Sequence, residues 1–401
     1  MKINTKDINN MKKKLSSPIG SWIVNESRNV YVSRNISLSL DTLESGRNLN
    51  QVVLGGSRDS SLEFIRENLE RMNTSYVVSD PEGVLYEEYK AKLEDNGYEV
   101  KLFSLTGDGM SYNPLKYIKD DKSLASVVNT LVSAEDPIWE KTERAYLSAI
   151  ILHILETKPE ESRNMTKVLE EIGSYDLNYP EDSRASEYSK IFMLAPLKTR
   201  EAIVKDVFTN VLSAFRSPAI QGKTTKDELN LYSFGGSKEG LNSLKAIFVK
   251  YADAELNKVG SLLFTQLFDI IFEQRAKGNF NDHVRFYVNM TDGISLNGSI
   301  YLEPALAISR SHDYSVVFFT EDTHSLDKFA LSNCDTKVFI TMDDKNKQWL
   351  TDLVSRFTSP SIIPGSIIKP LFSITDDELY KIEDGQCLVV IRGFKPVIDN
   401  R

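Results

Sequence analysis

The alternation of apolar runs and helically spaced segments between Gln51 and Leu105 fixes the kind of sheet this chain can build. Gln51-Val52-Val53-Leu54 is a short apolar run with the profile of a buried strand. Gly55 and Gly56 follow, and Leu62, Ile65, Leu69 and Met72 then keep a helical period. Ser75 to Asp80 reads as a second strand, ending in the turn Asp80-Pro81-Glu82-Gly83. Val84 to Asn96 reads as a helix closed by Gly97, and Glu99 to Leu105 as a third strand. Parallel strands need a crossover connection, and an intervening helix provides it. The β-α-β-α-β order therefore predicts an α/β fold with a parallel sheet and helices on its faces.

The first of these turns has the framework of a phosphate-binding loop, strand then glycine turn then helix, whose pattern is G-x-x-x-x-G-K-[ST]. The stretch reads Gly55-Gly56-Ser57-Arg58-Asp59-Ser60-Ser61-Leu62. Aligned from Gly55 without gaps, Ser60 stands at the second glycine, Ser61 at the lysine and Leu62 at the hydroxyl that binds Mg²⁺. The lysine normally brings positive charge to the β and γ phosphates. Ser61 is neutral, Leu62 coordinates no metal, and Asp59 adds a negative charge that Arg58 offsets only in part. One unit charge at ~4 Å is worth about 4 kcal/mol at a surface-like dielectric. Even heavily discounted, these losses predict Mg-ATP binding weakened by orders of magnitude. The plainer reading is that 55–62 is a strand-to-helix turn with two glycines and no present ligand.

Elsewhere, Asn29 to Ser33 and Ile36 to Leu40 are β-like, the second alternating apolar and polar. From about 122 to 216 the pattern is helical, with segments at Trp139–Ile154, Thr166–Ile172, Ser186–Leu194 and Thr199–Phe215. Strand signals resume at Leu244–Tyr251, Val284–Asn289, Tyr314–Thr320, Thr336–Thr341 and Cys387–Arg392, with a helix over Leu256–Ala276. The expected division is an α/β domain in two parts, 1–112 and 226–401, interrupted by an all-α insert over 113–225.

Composition excludes several classes. The 401 residues are 41% hydrophobic, enough for a large core. A net charge of −9 argues against a chain that grips DNA mainly by neutralising phosphates. Cys334 and Cys387 fall in predicted strands and read as small core residues of a reduced, cytoplasmic protein. No apolar run reaches the roughly 18–20 residues of a membrane span, and the basic start lacks the apolar core of a secretory signal. Lys12-Lys13-Lys14 reads as a solvated tail, with peripheral contact to the inner face of an anionic membrane as the alternative. His153, His283, His312 and His324 are scattered without metal-ligand spacing, although His312 and Asp313 are adjacent. Gly235 to Gly240 half-fits a second phosphate loop but reads as a surface turn. Asp376-Asp377-Glu378 reads as a helix cap.

Several separated stretches, taken in order, resemble the VirD4/TraG family of type IV coupling proteins, the DNA-pumping ATPases of conjugation and type IV secretion. They include Ser39-Leu40-Asp41-Thr42, Ser75 to Gly83 (SYVVSDPEG, against the family's SYVVTDPKG), Gly97 to Val100 and Tyr112 to Leu115. Asp136 to Lys141, Asn333 to Thr336 and Ile391 to Pro396 continue the series, so the resemblance extends from about Ser37 to Pro396. It implies a RecA-like P-loop NTPase-type domain carrying an all-α insert. It also implies hexamers with ATP between subunits and DNA in a central channel. The family's usual N-terminal membrane anchor has no counterpart here, and the start at Met1 favours natural loss over truncation.

The departures from that family fall at its working residues. The family's Walker B strand ends in Asp-Glu; the matching strand here is Val284 to Met290, with Asn289 and Met290 in those places. Neither is a charged metal ligand or a general base. Asp292 stands nearby in an Asp-Gly turn pair. A strand-end glutamine that senses phosphate in the family is matched by Phe319. Three losses together lead to the expectation of a pseudo-ATPase with no catalytic residue, no metal and no bound cofactor. It would serve as a scaffold or adaptor in conjugative DNA transfer. Its partners would be secretion or conjugation components: an active paralogue, a relaxase or effector cargo, and copies of itself. The alternative is an active hexameric, ATP-driven DNA translocase using ATP and Mg²⁺. A third reading keeps only the fold for another task. If only side chains were lost, the set Ser60→Gly, Ser61→Lys, Leu62→Thr, Asn289→Asp and Met290→Glu should restore Mg-ATP binding.

Overall fold

The computed structural model describes residues 28–42, 46–55, 58–105, 107–235, 244–251, 256–278, 282–321, 326, 328–340, 385–394 and 396–401. In chain order the strands are β1 (Asn29–Ser33), β2 (Ile36–Ser39), β3 (Gln51–Leu54), β4 (Ser75–Ser79), β5 (Glu99–Ser104), β6 (Lys245–Lys250), β7 (Val284–Asn289), β8 (Tyr314–Thr320), β9 (Thr336–Phe339), β10 (Gln386–Ile391) and β11 (Val397–Asn400). The α-helices are α1 (Arg58–Leu69), α2 (Val84–Asp95), α3 (Asp121–Leu131), α4 (Pro137–Thr157), α5 (Met165–Glu171), α6 (Arg184–Met193), α7 (Leu197–Asp206), α8 (Pro218–Thr224), α9 (Asn257–Ala276), α10 (Leu302–Ile308) and α11 (Lys328–Ser332). The fold class is α/β, as the alternating pattern predicts. The chain divides into two compact units.

The first unit comprises residues 1–74, 283–287 and 306–401. Its strands run in the order β11-β10-β9-β3-β8-β7. At its centre β3 pairs in parallel with β8, Val53 opposite Phe319, and with β9, Val53 opposite Val338. Every residue of β3 and β8 is buried, which is why both read as unbroken apolar runs. β10 and β11 add antiparallel strands at one side. β11 was not foreseen from sequence; it is short, largely exposed and carries Asp399, as edge strands do. Its Asp399 accepts from Ser33 Oγ at 2.6 Å and from the Asn35 amide at 2.9 Å, tying it to the β1–β2 hairpin.

The second unit comprises 75–282 and 288–305. Its strands β4, β6 and β5 are parallel neighbours, with Tyr76 and Val100 both opposite Ala246. At the end of β4, Asp80 is 1% exposed and accepts from the backbone N–H of Leu85 and Tyr86, so it caps α2 as the Asp-Pro-Glu-Gly turn requires. Gly83 sits at φ +80° in that turn, where a Cβ would press on the Lys250 stem at 3.0 Å. Between β5 and β6 the described residues form helices and turns without a strand. α4 is buried on all sides from Ala145 to Leu152, and α9 from Val259 to Ile271, so these are the core helices of their surroundings. The helix expected over Thr199–Phe215 breaks. α7 ends at Asp206, a π-turn covers Val207–Val211 with the Leu212 amide bonded to the Val207 carbonyl, and a 3₁₀ turn follows.

Among the described residues, no helix is long and apolar enough to cross a membrane. Lys12-Lys13-Lys14, residues 236–240, His324, Thr341 and Asp376-Asp377-Glu378 lie outside the described residues.

Candidate functional site

In the first unit, β3 delivers the chain to Gly55, which takes φ +72° and donates its N–H to the Thr320 carbonyl at 3.0 Å. Gly56 and Ser57 lie outside the described residues. α1 already begins at Arg58, with Asp59 in its first turn, where a carboxylate complements the helix dipole. The loop expected over 55–62 is therefore shorter than its sequence reading: Arg58, Asp59, Ser60, Ser61 and Leu62 are helical. Helical spacing turns Ser61, Leu62, Ile65, Asn68 and Leu69 inward together. Ser61 is 7% and Leu62 is 9% exposed, so both are buried, uncharged side chains. Asp59 is exposed. Ser60 Oγ accepts from the Arg401 guanidinium at 3.1 Å, which brings a cation from the end of β11 to this turn.

β8 pairs Leu54 with Thr320 and thereby sets Phe319 one residue below the turn. Phe319 is 1% exposed. It packs edge-on to Phe64 of α1 at 5.7 Å and alongside Tyr287 at 6.4 Å, and Phe64 in turn meets Tyr31 at 5.4 Å. Phe319 is thus one ring in an aromatic cluster, a packing role with geometry typical of such pairs.

In the second unit, Asn289 is 3% exposed and its side chain is committed to a local turn. Its Nδ2 donates to Asp292 Oδ2 at 2.5 Å and its Oδ1 accepts from the Asp292 N–H at 3.4 Å. The turn closes with Gly293 N–H on the Met290 carbonyl and Ile294 N–H on the Asn289 carbonyl. Met290 is half-buried and brings no charge. Asp292 is thus engaged with Asn289. His312 Nδ1 lies 2.9 Å from Ser311 Oγ and 3.1 Å from the Ile308 carbonyl, at the end of a 3₁₀ turn. Cys334 and Cys387 are buried free thiols, both pushed up to about 12 by burial. Among the described residues, no group of three or more His, Cys, Asp or Glu is placed to share a metal ion.

Two buried carboxyls escaped the sequence reading. Glu143 in α4 is 1% exposed and accepts from Trp139 Nε1 at 2.8 Å. Burial and the neighbouring Asp206 push its pKa up to about 7. Asp269 in α9 is 7% exposed, and burial pushes it up to about 6. Asp269 is an acidic residue within the mostly apolar run Leu262–Ile271, whereas Glu143 stands among Glu140, Lys141 and Arg144, a pattern that fits a solvated helix face.

Residues 61–275, more than half of the chain, match the family described as Type IV secretory system Conjugative DNA transfer. The chain belongs to that family. The matched span opens inside α1 and closes inside α9, so within this conjugative DNA transfer family the likeness does not rest on Gly55 to Ser60 or on Asn289. Solved structures add the fold. The bacterial conjugative coupling protein TrwB, in a trigonal form with sulphate, superposes with a TM-score of 0.64 at 11% identity, over 98% of this chain and 91% of that one. TrwB in complex with ADP and Mg²⁺ gives 0.65 at 11% identity, with the same coverage. VirB4 of Thermoanaerobacter pseudethanolicus gives 0.52 at 13% identity, over 88% of each chain. The fold is therefore the RecA-like P-loop NTPase type that the resemblance implied. No curated protein sequence matches the chain significantly.

Proposed function

We propose that this chain is a nucleotide-independent member of the conjugative DNA transfer family that works as a scaffold or adaptor in the transfer apparatus. The observation that carries the reading is the turn after β3: Ser61 and Leu62 stand at the lysine and Mg²⁺-hydroxyl positions, buried at 7% and 9% exposure. A triphosphate placed there would meet no lysine, and the exposed Asp59 would oppose it. Asn289, Met290 and Phe319 support the same reading, because none supplies the acid or polar sensor that phosphoryl transfer uses.

In this reading residues 113–225 form the insert that presents relaxase or effector cargo. An active paralogue with intact motifs supplies the ATP-driven step, with or without self-association of this chain. The chain works in the cytoplasm, at the inner face of the membrane that the apparatus crosses.

Calorimetric titration of the purified chain with Mg-ATP tests the reading. The expected result is no heat of site binding at millimolar nucleotide. A micromolar, magnesium-dependent dissociation constant would overturn it in favour of the active, hexameric translocase.

A further inference from the structure

The second unit carries a half-open cleft of about 610 Å³, within the size range of ligand pockets. Its walls come from the 3₁₀ turn Pro114–Tyr117, the end of α4, the 160–163 turn and the residues after α8. All of the lining but Lys226 and Asp227 falls within 113–225. Leu115, Ile118 and Leu155 form its apolar part, Leu115 buried and the other two half-buried.

Six charged side chains line the cleft, and two of them neutralise each other. Lys116 Nζ pairs with Asp227 at 3.4 Å. Asp227 also accepts from Tyr117 Oη at 2.7 Å, and its side chain is 2% exposed, so it belongs to the wall. The remaining four are Arg163, Lys226, Glu160 and Glu161. Arg163 donates its Nε to the Lys158 carbonyl at 2.8 Å, which anchors the guanidinium and leaves its two terminal amino groups without a partner among the described residues. Lys226, Glu160 and Glu161 are exposed and form no ion pair among the described residues. Two cations and two anions therefore share one cleft without pairing. A polyphosphate would be opposed by both carboxylates. A purely apolar ligand would leave all four charges unused. A chain that carries both signs and an apolar group matches the whole lining.

We propose that this cleft docks an extended peptide segment of a partner protein, one with an acidic, a basic and an apolar side chain. The Arg163 fork and Lys226 receive the acid, Glu160 and Glu161 receive the base, and the apolar side chain settles on Leu115, Ile118 and Leu155. A guanidinium fork fixes the direction of a carboxylate as well as its charge. The exposed charges select the segment more than they hold it, and apolar burial supplies the holding. The inference rests on the reading that residues 113–225 present cargo, and it names the part of the cargo that is gripped.

Panning a phage-displayed random heptapeptide library on the full chain tests the proposal. Enriched peptides should carry both charge signs and an apolar residue. In fluorescence anisotropy such a peptide should bind about tenfold more weakly to Lys226→Glu, and likewise to the pair Glu160→Lys and Glu161→Lys. These three side chains are exposed, so the variants keep the fold. Replacing the acidic residue of the peptide by lysine should restore binding to Lys226→Glu. No enrichment, enrichment of peptides of a single charge sign, or binding that ignores both variants overturns the proposal. The Mg-ATP titration decides the adaptor reading separately, so a failed panning beside a silent titration removes the cleft alone.

Discussion

Glu143 binds its proton more tightly than a solvated glutamate, because burial and then the facing Asp206 outweigh the opposing pull of Trp139 and Lys258. Trp139 donates to it from one turn earlier, Asp206 faces it from the end of α7, and Lys258 of α9 attracts its charged form more weakly than burial opposes it. A carboxyl whose folded pKa is raised binds its proton more tightly in the folded state. Its contribution is therefore full below the ordinary value of 4.5 and is lost as pH rises through about 7. The loss is on the order of 1–3 kcal/mol. Glu143→Gln keeps the acceptor for Trp139 and cannot ionise. Urea unfolding at pH 5 and pH 8 should find the two proteins alike at pH 5 and the variant more stable at pH 8. Equal pH dependence in both would sink this account. Trp139 at i−4 was visible in the sequence; Asp206 and Lys258 were not, because only the helix packing brings them to α4.

At the scale of elements, helix and strand positions followed periodicity closely where packing was uniform. β7 and β8 have the very limits that their apolar runs gave. Elements shaped by local competition were not legible. β11 has no apolar run, because an exposed edge strand does not need one. The π-turn after α7 arises where Val207 and Val211 are buried while Asn210 Nδ2 bonds Asp206 Oδ1 at 2.5 Å, a choice between backbone registers that residue spacing does not reveal. The early start of α1 at Arg58 matters most for function. It leaves few residues between strand and helix to wrap a phosphate, and it points position 61 into the core. The restoring set Ser60→Gly, Ser61→Lys, Leu62→Thr, Asn289→Asp and Met290→Glu should therefore fail to recover Mg-ATP binding in a folded protein. Titration calorimetry giving a micromolar dissociation constant for that variant would mean that side chains alone were lost.

At the scale of the whole molecule, charge bears on partners. A chain of net charge −9 has little to offer the phosphates of a duplex, whose binding is driven by counterion release. Fluorescence anisotropy with a short duplex should show no saturable binding at about 150 mM salt. Submicromolar binding with a steep salt dependence would contradict this and return DNA to the direct partners.

The sequence alone determined the α/β class, the order of the central elements and the lack of charge at Ser61, Leu62, Asn289 and Met290, because periodicity and side-chain chemistry are local properties. Tertiary structure decided where α1 begins, how Phe319 joins Phe64 and Tyr287, how Asn289 is spent on its turn, and that Glu143 and Asp269 are buried carboxyls. All but the Asn289 turn, which is local, depend on groups far apart in the chain or on which backbone register packs best, and residue spacing along one segment carries neither.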